Sequence, residues 1–448
     1  MTSFLAATAL SSITFLSIGM PKALYLAGKI SVFFGRPLLV FLAFSFFPGY
    51  SSELAILLSV SAIAIASSPP LHMPLYAYRY QSDVAGLDLD IFRDLSSKYL
   101  DSLLVSIVLI SVFASSISYI ILKARGLEVI PFSLAFFFFC FEKIHDEVNR
   151  FLLVSKSFVL WGIVTLSKNL LPLILFSFYL LTYQKFLSVA LPSFQVALAL
   201  IAFTAFSTLV AFLIFLSASP YLITRFAPHI KLSSIFSPRM LVRFVLNKSR
   251  SLFSAIYLKP WISNLSNLPV TYSDRLLNLA LPSELISPFF IAITISSLST
   301  YTYDTFVITR RRQEIISLDN PNEILKVIPS LIVCSSVAIL ITFFYQSIHF
   351  GVFAYFQSLF LSIPLSTVLL LLFASLFMAI SGLLLEWIYW RRMFRIATLL
   401  NAFYICLLAV VLFSFDLTLL STSIYLFLLS LFRFLSIAGS AYVLLRVL

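Results

Sequence analysis

Long, almost uninterrupted apolar segments run through this 448-residue chain and restrict what it can fold into. The segments 190–216 and 364–385 are apolar on every helical face, whereas the strands of a membrane β-barrel alternate apolar and polar residues. A segment of about 20 apolar residues crosses a bilayer as an α-helix, because a helix satisfies its backbone hydrogen bonds internally. We therefore predict an all-α, polytopic membrane protein.

Hydropathy marks eleven such segments, and the charge distribution indicates a twelfth. The eleven lie near 36–49, 52–68, 101–122, 129–147, 151–182, 188–218, 284–308, 327–346, 354–385, 396–415 and 418–446. Residues 251–271 are more polar. Counting them as a span nevertheless puts most of the 30 lysines and arginines on one side of the membrane, as the positive-inside rule requires. The prediction is about 12 transmembrane helices, with the basic loops and both termini in the cytoplasm.

The predicted spans divide into two sets of six around a basic stretch, as a duplicated transporter would. The predicted boundaries are 1–35 for an N-terminal interfacial or extra helix, 36–218 for the first six-helix bundle, 219–250 for a basic cytoplasmic linker and 251–448 for the second bundle.

Composition and cysteine placement argue against several other classes. Only 11% of the residues are charged, whereas soluble domains carry about 25%. The net charge of +12 is scattered in short groups rather than gathered on one basic face, so nucleic acid is not expected as a partner. Cys140, Cys334 and Cys406 lie in separate apolar segments without ligand spacing, and neither a metal site nor a cofactor is predicted.

Three cations, Lys168, Lys259 and Arg433, are predicted to lie at membrane depth. An ionised side chain there costs about 2.5–3.5 kcal/mol and usually faces a cavity or a partner. One interpretation is a cationic cavity for an anionic substrate, above all a diphosphate. The other is snorkelling or a structural ion pair, which suits Arg433 in particular.

The predicted polar span carries a stripe of polar side chains. Lys259, Ser263 and Asn267 recur at intervals of four residues and share one face of a helix. Lipid would not solvate this face and a water-filled cavity would, so all three are candidate substrate-binding residues. Asp304, at the end of the next span, is a candidate for binding a coupling cation or for pairing with the arginines that follow it.

A dense charged run, residues 142–150, joins the fourth and fifth spans. Charged residues three or four apart on a helix can pair. The run is therefore either a proton relay or a self-neutralising helix end, and Arg150 at its end is a further candidate for substrate binding. His145 has no ligand spacing with other His, Cys or carboxylate groups, so no metal is expected there.

The same region resembles a known family. FEKIHDEVNRFLLVSKSFVLWGIVTLSKNLLPLI, residues 141–174, resembles a stretch of the Wzx-like oligosaccharide flippases, polysaccharide transporters of the MOP superfamily, in which an acidic helix leads through an Arg-Leu-Leu run into a long span. YSDRLL, residues 272–277, is similar to their Asp-Arg-aliphatic step after the seventh span. DNPNE, residues 319–323, lies where these flippases have a polar link between the eighth and ninth spans.

This resemblance implies a fold and a function. Two six-helix bundles would surround a central cavity that opens alternately to the two sides of the inner, cytoplasmic membrane. The implied substrate is a polyprenyl-diphosphate-linked oligosaccharide, flipped from the cytoplasmic leaflet while its tail stays among membrane lipids. The implied driving force is a gradient of a coupling cation, H⁺ or Na⁺, and the protein would not be an enzyme.

Two rival functions stay open. A cation-coupled multidrug exporter of the same architecture would favour an anionic cavity over a cationic one. A membrane glycosyltransferase or polymerase acting on lipid-linked sugars would need catalytic groups on a sizeable outer loop, whereas the predicted outer loops, such as residues 49–51, are short.

Overall fold

The computed structural model describes most of the chain between residues 23 and 447. The described residues are 23–32, 35, 38–44, 50–69, 89–154, 157–186, 193–218, 255–303, 363–390, 393–414 and 416–447. The segment 3–20, where the sequence allows an additional helix or span, lies outside these ranges.

Helices are the only regular structure in these ranges, which confirms the all-α prediction. They are α1 (Ala23–Val32), α2 (38–44), α3 (Ser51–Ser67), α4 (Leu89–Ala124), α5 (Phe132–Val154), α6 (Phe158–Phe186), α7 (Ser193–Ala218), α8 (Ala255–Thr271), α9 (Ser273–Ala280), α10 (Ser283–Tyr303), α11 (Leu365–Trp390), α12 (Phe394–Ser414) and α13 (Leu419–Val447).

Six of the described helices contain a segment long and apolar enough to cross a bilayer. These segments are Val105–Ala124, Phe158–Thr182, Leu198–Phe215, Leu365–Leu385, Arg395–Phe413 and Leu419–Val443. On α6, Ile174, Phe178 and Leu181 expose most of their surface on one helical face. Such a face is stable against lipid and would not be stable in water, so these helices agree with a multi-pass membrane protein.

Local capping sets where two of these helices begin and end. Thr418 caps α13, since the N–H of Ser421 donates to Thr418 Oγ1 at 3.2 Å and the N–H of Thr418 donates back to Ser421 Oγ at 2.8 Å. α4 ends in a Schellman motif around Gly126, which has a φ of 65°. There the N–H of Leu127 donates to the carbonyl of Leu122 at 3.1 Å. Arg125, next to this glycine, is thereby held at the helix end.

The chain divides into two compact units. Unit 1 comprises Met1–Leu39, Ser67–Tyr119 and Ile130–Ile262. Unit 2 comprises Val40–Ala66, Ile120–Val129 and Ser263–Leu448, so most of α3 is counted with it. The predicted bundle boundaries at 36–218 and 251–448 stay a prediction.

In unit 1, α5, α6 and α7 pack on one another, and α1 lies against α6 at a glycine contact. A Cβ atom added to Gly28 would lie 2.8 Å from the Cα of Gly162, and one added to Gly162 would collide with the carbonyl oxygen of Leu24. The two backbones therefore approach as closely as only glycine permits.

In unit 2, α11 and α13 form the most extensive helix pair among the described residues. They run parallel, because the Phe377 ring of α11 contacts both Phe427 and Phe434 of α13, at centroid distances of 5.9 Å and 5.4 Å, and Trp387 of α11 shares a core cluster with Ala441 further along α13. α12 joins them as the intervening antiparallel helix. The packing of these three helices positions the polar residues of α12 and α13 that are described below.

Candidate functional site

The charged run of α5 folds into a buried network that we call the charge cluster. Residues four apart lie on one face of the helix, and here that face is ionic. The cluster consists of Glu142, Lys143, Asp146, Glu147 and Arg150 of α5 together with Lys168 of α6. All of these residues belong to unit 1.

Lys168 pairs with Glu142. The Lys168 Nζ donates to Glu142 Oε2 at 3.0 Å, and the two side chains expose only 9% and 2% of their surface. Burial of an ion pair is favourable only when the geometry is good and both charges stay paired. The ammonium that we predicted to lie at membrane depth therefore has a carboxylate partner on the neighbouring helix.

Lys143 is the most deeply buried cation of the cluster, with a fully buried side chain. Its Nζ forms an ion pair with Glu147 and donates to Ser68 Oγ at 2.6 Å. Asp146 Oδ2 lies 3.8 Å from the same Nζ. Asp146 also pairs with Arg150, whose Nε donates to Oδ1 at 3.1 Å and whose Nη2 lies 3.1 Å from Oδ2. Three carboxylates thus meet three cations, and the cluster is electrically neutral.

A second set of polar contacts in unit 1 connects α5, α6 and α1. Asn149 Nδ2 lies 2.8 Å from His145 Nε2, and Asn149 Oδ1 accepts from Thr165 Oγ1 at 3.3 Å. Asn169 Nδ2 donates to Ser31 Oγ at 3.4 Å. These contacts fasten α5, α6 and α1 together inside an apolar unit. The arrangement agrees with a self-neutralising helix end, and it could also relay protons.

Unit 2 contains a second group of buried polar residues, which we call the Tyr404 cluster. Tyr404 of α12 donates from its hydroxyl to Ser273 Oγ of α9 at 3.0 Å. Asn401, one turn earlier on α12, donates to the Oδ1 of Asn267 on α8. Two side chains on one face of α12 therefore bind the bend between α8 and α9.

Arg433 of α13 completes the Tyr404 cluster. Its guanidinium lies over the ring of Tyr404, with a distance of 5.9 Å from the central carbon to the ring centroid, and its Nη1 lies 3.3 Å from Met378 Sδ on α11. The side chain is 6% exposed. It is therefore held within unit 2 rather than extended along the helix towards the membrane surface, as snorkelling would require.

Three short segments of unit 2 contact one another, namely residues 125–128, residues 279–281 and Tyr50. The guanidinium of Arg125 donates to the carbonyls of Leu279 and Leu281, where α9 ends and its carbonyls lack intrahelical partners. Partial burial lowers the pKa of Arg125 from its ordinary value, although a guanidinium stays charged at physiological pH. The hydroxyl of Tyr50 donates to Glu128 Oε2 at 2.6 Å. The sequence predicts all three segments on the outer side, and their contacts agree with a common side.

The predicted site residues that the structure describes belong to two different units. Lys168 and Arg150 belong to the charge cluster of unit 1, and Asn267 and Arg433 belong to the Tyr404 cluster of unit 2. Lys259 and Ser263 lie on α8 as predicted, but their side chains fall outside the described part of the structure, as does the whole of Asp304.

Sequence reasoning missed Asn401 and Tyr404. Both lie in a predicted span, where an asparagine and a tyrosine one turn apart are a weak signal of a polar face. Within the described ranges, no group of three or more His, Cys, Asp or Glu residues could hold a metal ion.

Comparisons with known proteins bear on the fold. No family model and no curated protein matches this sequence. The structure matches a multidrug resistance MATE family transporter of the MOP superfamily in an inward-facing conformation, with a TM-score of 0.52, 14% identity and coverage of 94% of both chains. It also matches the eukaryotic MATE transporter AtDTX14, with a TM-score of 0.49, 14% identity and coverage of 95% of both chains. A mutant of the Vibrio cholerae MATE transporter VcmN matches with a TM-score of 0.45, 10% identity and coverage of 97% of this chain and 98% of that one. The first match shows that this chain has a MATE-like transporter fold.

Proposed function

We propose that this protein is an alternating-access transporter that flips an anionic, lipid-linked oligosaccharide across the inner membrane. Transport is supported by the fold, which the chain shares over 94% of its length with a solved transporter. The choice of a polyprenyl diphosphate as the carrier is supported by the buried cations Lys168 and Arg433, which lie in apolar helices. The resemblance of residues 141–174 to the Wzx-like flippases points to the same substrate class.

The observation that carries the proposal is the buried guanidinium of Arg433. Holding a charge inside an apolar helical unit costs free energy, which an anionic headgroup would offset through charge-assisted hydrogen bonds. Two of the contacts of Arg433, the sulfur of Met378 and the ring of Tyr404, carry no formal charge. A diphosphate would add a formally charged partner to these contacts.

The cations of unit 1 enter this proposal in a secondary role. Lys168 and Arg150 already pair with Glu142 and Asp146, so a phosphate that bound either cation would compete with a carboxylate. We therefore assign contact with the headgroup to Arg433 and Asn267, and the substrate-binding roles of Lys168 and Arg150 stay predictions from the sequence. Lys259, Ser263 and the cation-coupling role of Asp304 stay predictions from the sequence.

Reconstitution tests this proposal. Purified protein in liposomes should move a fluorescent polyprenyl-diphosphate oligosaccharide between leaflets, and should leave a polyprenol that lacks phosphate where it was added. Arg433→Gln should abolish this movement, whereas Arg395→Gln, which removes an exposed arginine of α12, should preserve it. Movement of a cationic dye without movement of the diphosphate would refute the proposal and favour a multidrug exporter.

A further inference from the structure

Tyr404 links three helices of unit 2 through two different parts of its side chain. The hydroxyl is anchored to Ser273 of α9 by a hydrogen bond of 3.0 Å. The face of the ring lies under the guanidinium of Arg433 on α13, 5.9 Å from its central carbon. The side chain is 1% exposed, so the ring cannot turn without disturbing its neighbours.

The hydrogen bond holds the ring of Tyr404, and the ring in turn contacts the guanidinium. A tyrosine has few rotatable bonds, and a hydrogen bond at its far end holds the plane of the ring. The negative face of that ring attracts a guanidinium stacked over it. Met378 Sδ, at 3.3 Å from Nη1, adds a third contact from α11. Residues on α11 and α12 therefore help to set the direction of the Arg433 donors.

We infer that Tyr404 is a positioning residue for Arg433, and that its hydrogen bond to Ser273 is the anchor through which it acts. The inference rests on the proposed function, in which Arg433 binds an anionic headgroup. Tyr404 itself need not touch the substrate. Its role is to keep the guanidinium pre-oriented, so that less conformational entropy is lost when a diphosphate binds.

Binding of a simple diphosphate to the detergent-solubilised full chain tests this inference. Geranyl diphosphate serves as the probe, and its Kd is measured by calorimetry beside the Tm of each unliganded variant. Tyr404→Leu, which removes the ring, should weaken binding roughly tenfold. Tyr404→Phe keeps the ring and should weaken it less. Tyr442→Leu is the matched control, because Tyr442 lies on the helix of Arg433 and is 55% exposed.

Double-mutant cycles separate positioning from general stabilisation. In an Arg433→Ala background, Tyr404→Leu should cause no further loss of affinity, because the residue through which it acts is gone. Ser273→Ala should reproduce Tyr404→Phe, and the two together should do no more than either alone. Independent, additive losses in these cycles would overturn the inference.

The outcomes distinguish this inference from the function on which it rests. If wild-type protein does not bind geranyl diphosphate, or if Arg433→Ala binds it equally well, the proposed headgroup site is wrong and the inference falls with it. If Arg433→Ala weakens binding while Tyr404→Leu leaves the Kd unchanged, the inference alone is wrong. Should Tyr404→Leu not fold, an unchanged Kd in both Tyr404→Phe and Ser273→Ala would still refute it.

Discussion

Lys168 Nζ and Glu142 Oε2 lie 3.0 Å apart and join α6 to α5 inside unit 1. Twenty-six residues separate them in the chain, across the connection between the two helices. Both side chains are buried, so removing either one takes an ion-pair partner from a buried charge. Lys143 and Glu147 form a second buried ion pair, within α5 itself.

Removing one member of the Lys168–Glu142 pair should therefore destabilise the protein more than removing both. Lys168→Met or Glu142→Gln alone should cost about 3–5 kcal/mol, because a buried charge then loses its partner. The double variant should recover much of this loss. Thermal unfolding in detergent measures the effect, with Glu284→Gln at an exposed position of α10 as the control. A double variant as unstable as the sum of the single ones would contradict the pairing.

Gly162 should not tolerate a side chain. Gly162→Ala puts a methyl group against the carbonyl of Leu24 and should cost about 1–3 kcal/mol through overpacking of α1 on α6. Gly439→Ala makes the same change in α13, where nothing lies within 4 Å of the added atom, and should be neutral or stabilising. Melting temperatures of the two variants check this, and equal values would show that α1 does not approach α6 as described.

Arg125 should stabilise α9 from outside the helix. Arg125→Gln removes the donors to the carbonyls of Leu279 and Leu281 and should cost about 1–3 kcal/mol. Hydrogen exchange should rise in α9 in particular. Lys123→Gln, two residues earlier and exposed, should leave that exchange unchanged. Unaltered protection of α9 in Arg125→Gln would argue against the cap.

The sidedness of the polar span can be measured directly. Reporter fusions after Ser234 and after Asp319 should both report the cytoplasm, because α8 and α10 together bring the chain back to the side on which it started. A fusion at Gly126, between α4 and α5, should report the opposite side. If Ser234 and Asp319 report different sides, then residues 251–271 do not cross the membrane.

Local sequence patterns predicted some side-chain contacts of this molecule and not others. The pairing of residues within 142–150 could be anticipated, because partners three or four apart on one helix are visible in the sequence. The partner of Lys168 could not be anticipated in this way. Nor could the hydrogen bond between Tyr404 and Ser273, whose positions are 131 residues apart. A tyrosine or asparagine inside an apolar span has the same sequence signature whether it binds lipid, packing neighbours or a polar cluster.

The sequence by itself determined that this chain is helical and multi-spanning. A single segment with apolar side chains on every face satisfies its own backbone hydrogen bonds in lipid as a helix. It also predicted which residues carry charge at membrane depth. Only the tertiary structure decided that Lys168 is neutralised by Glu142, while Arg433 lies against Tyr404 and Met378. The reason is physical: burial and charge pairing depend on which helix faces pack together, and residues far apart in the chain supply those faces.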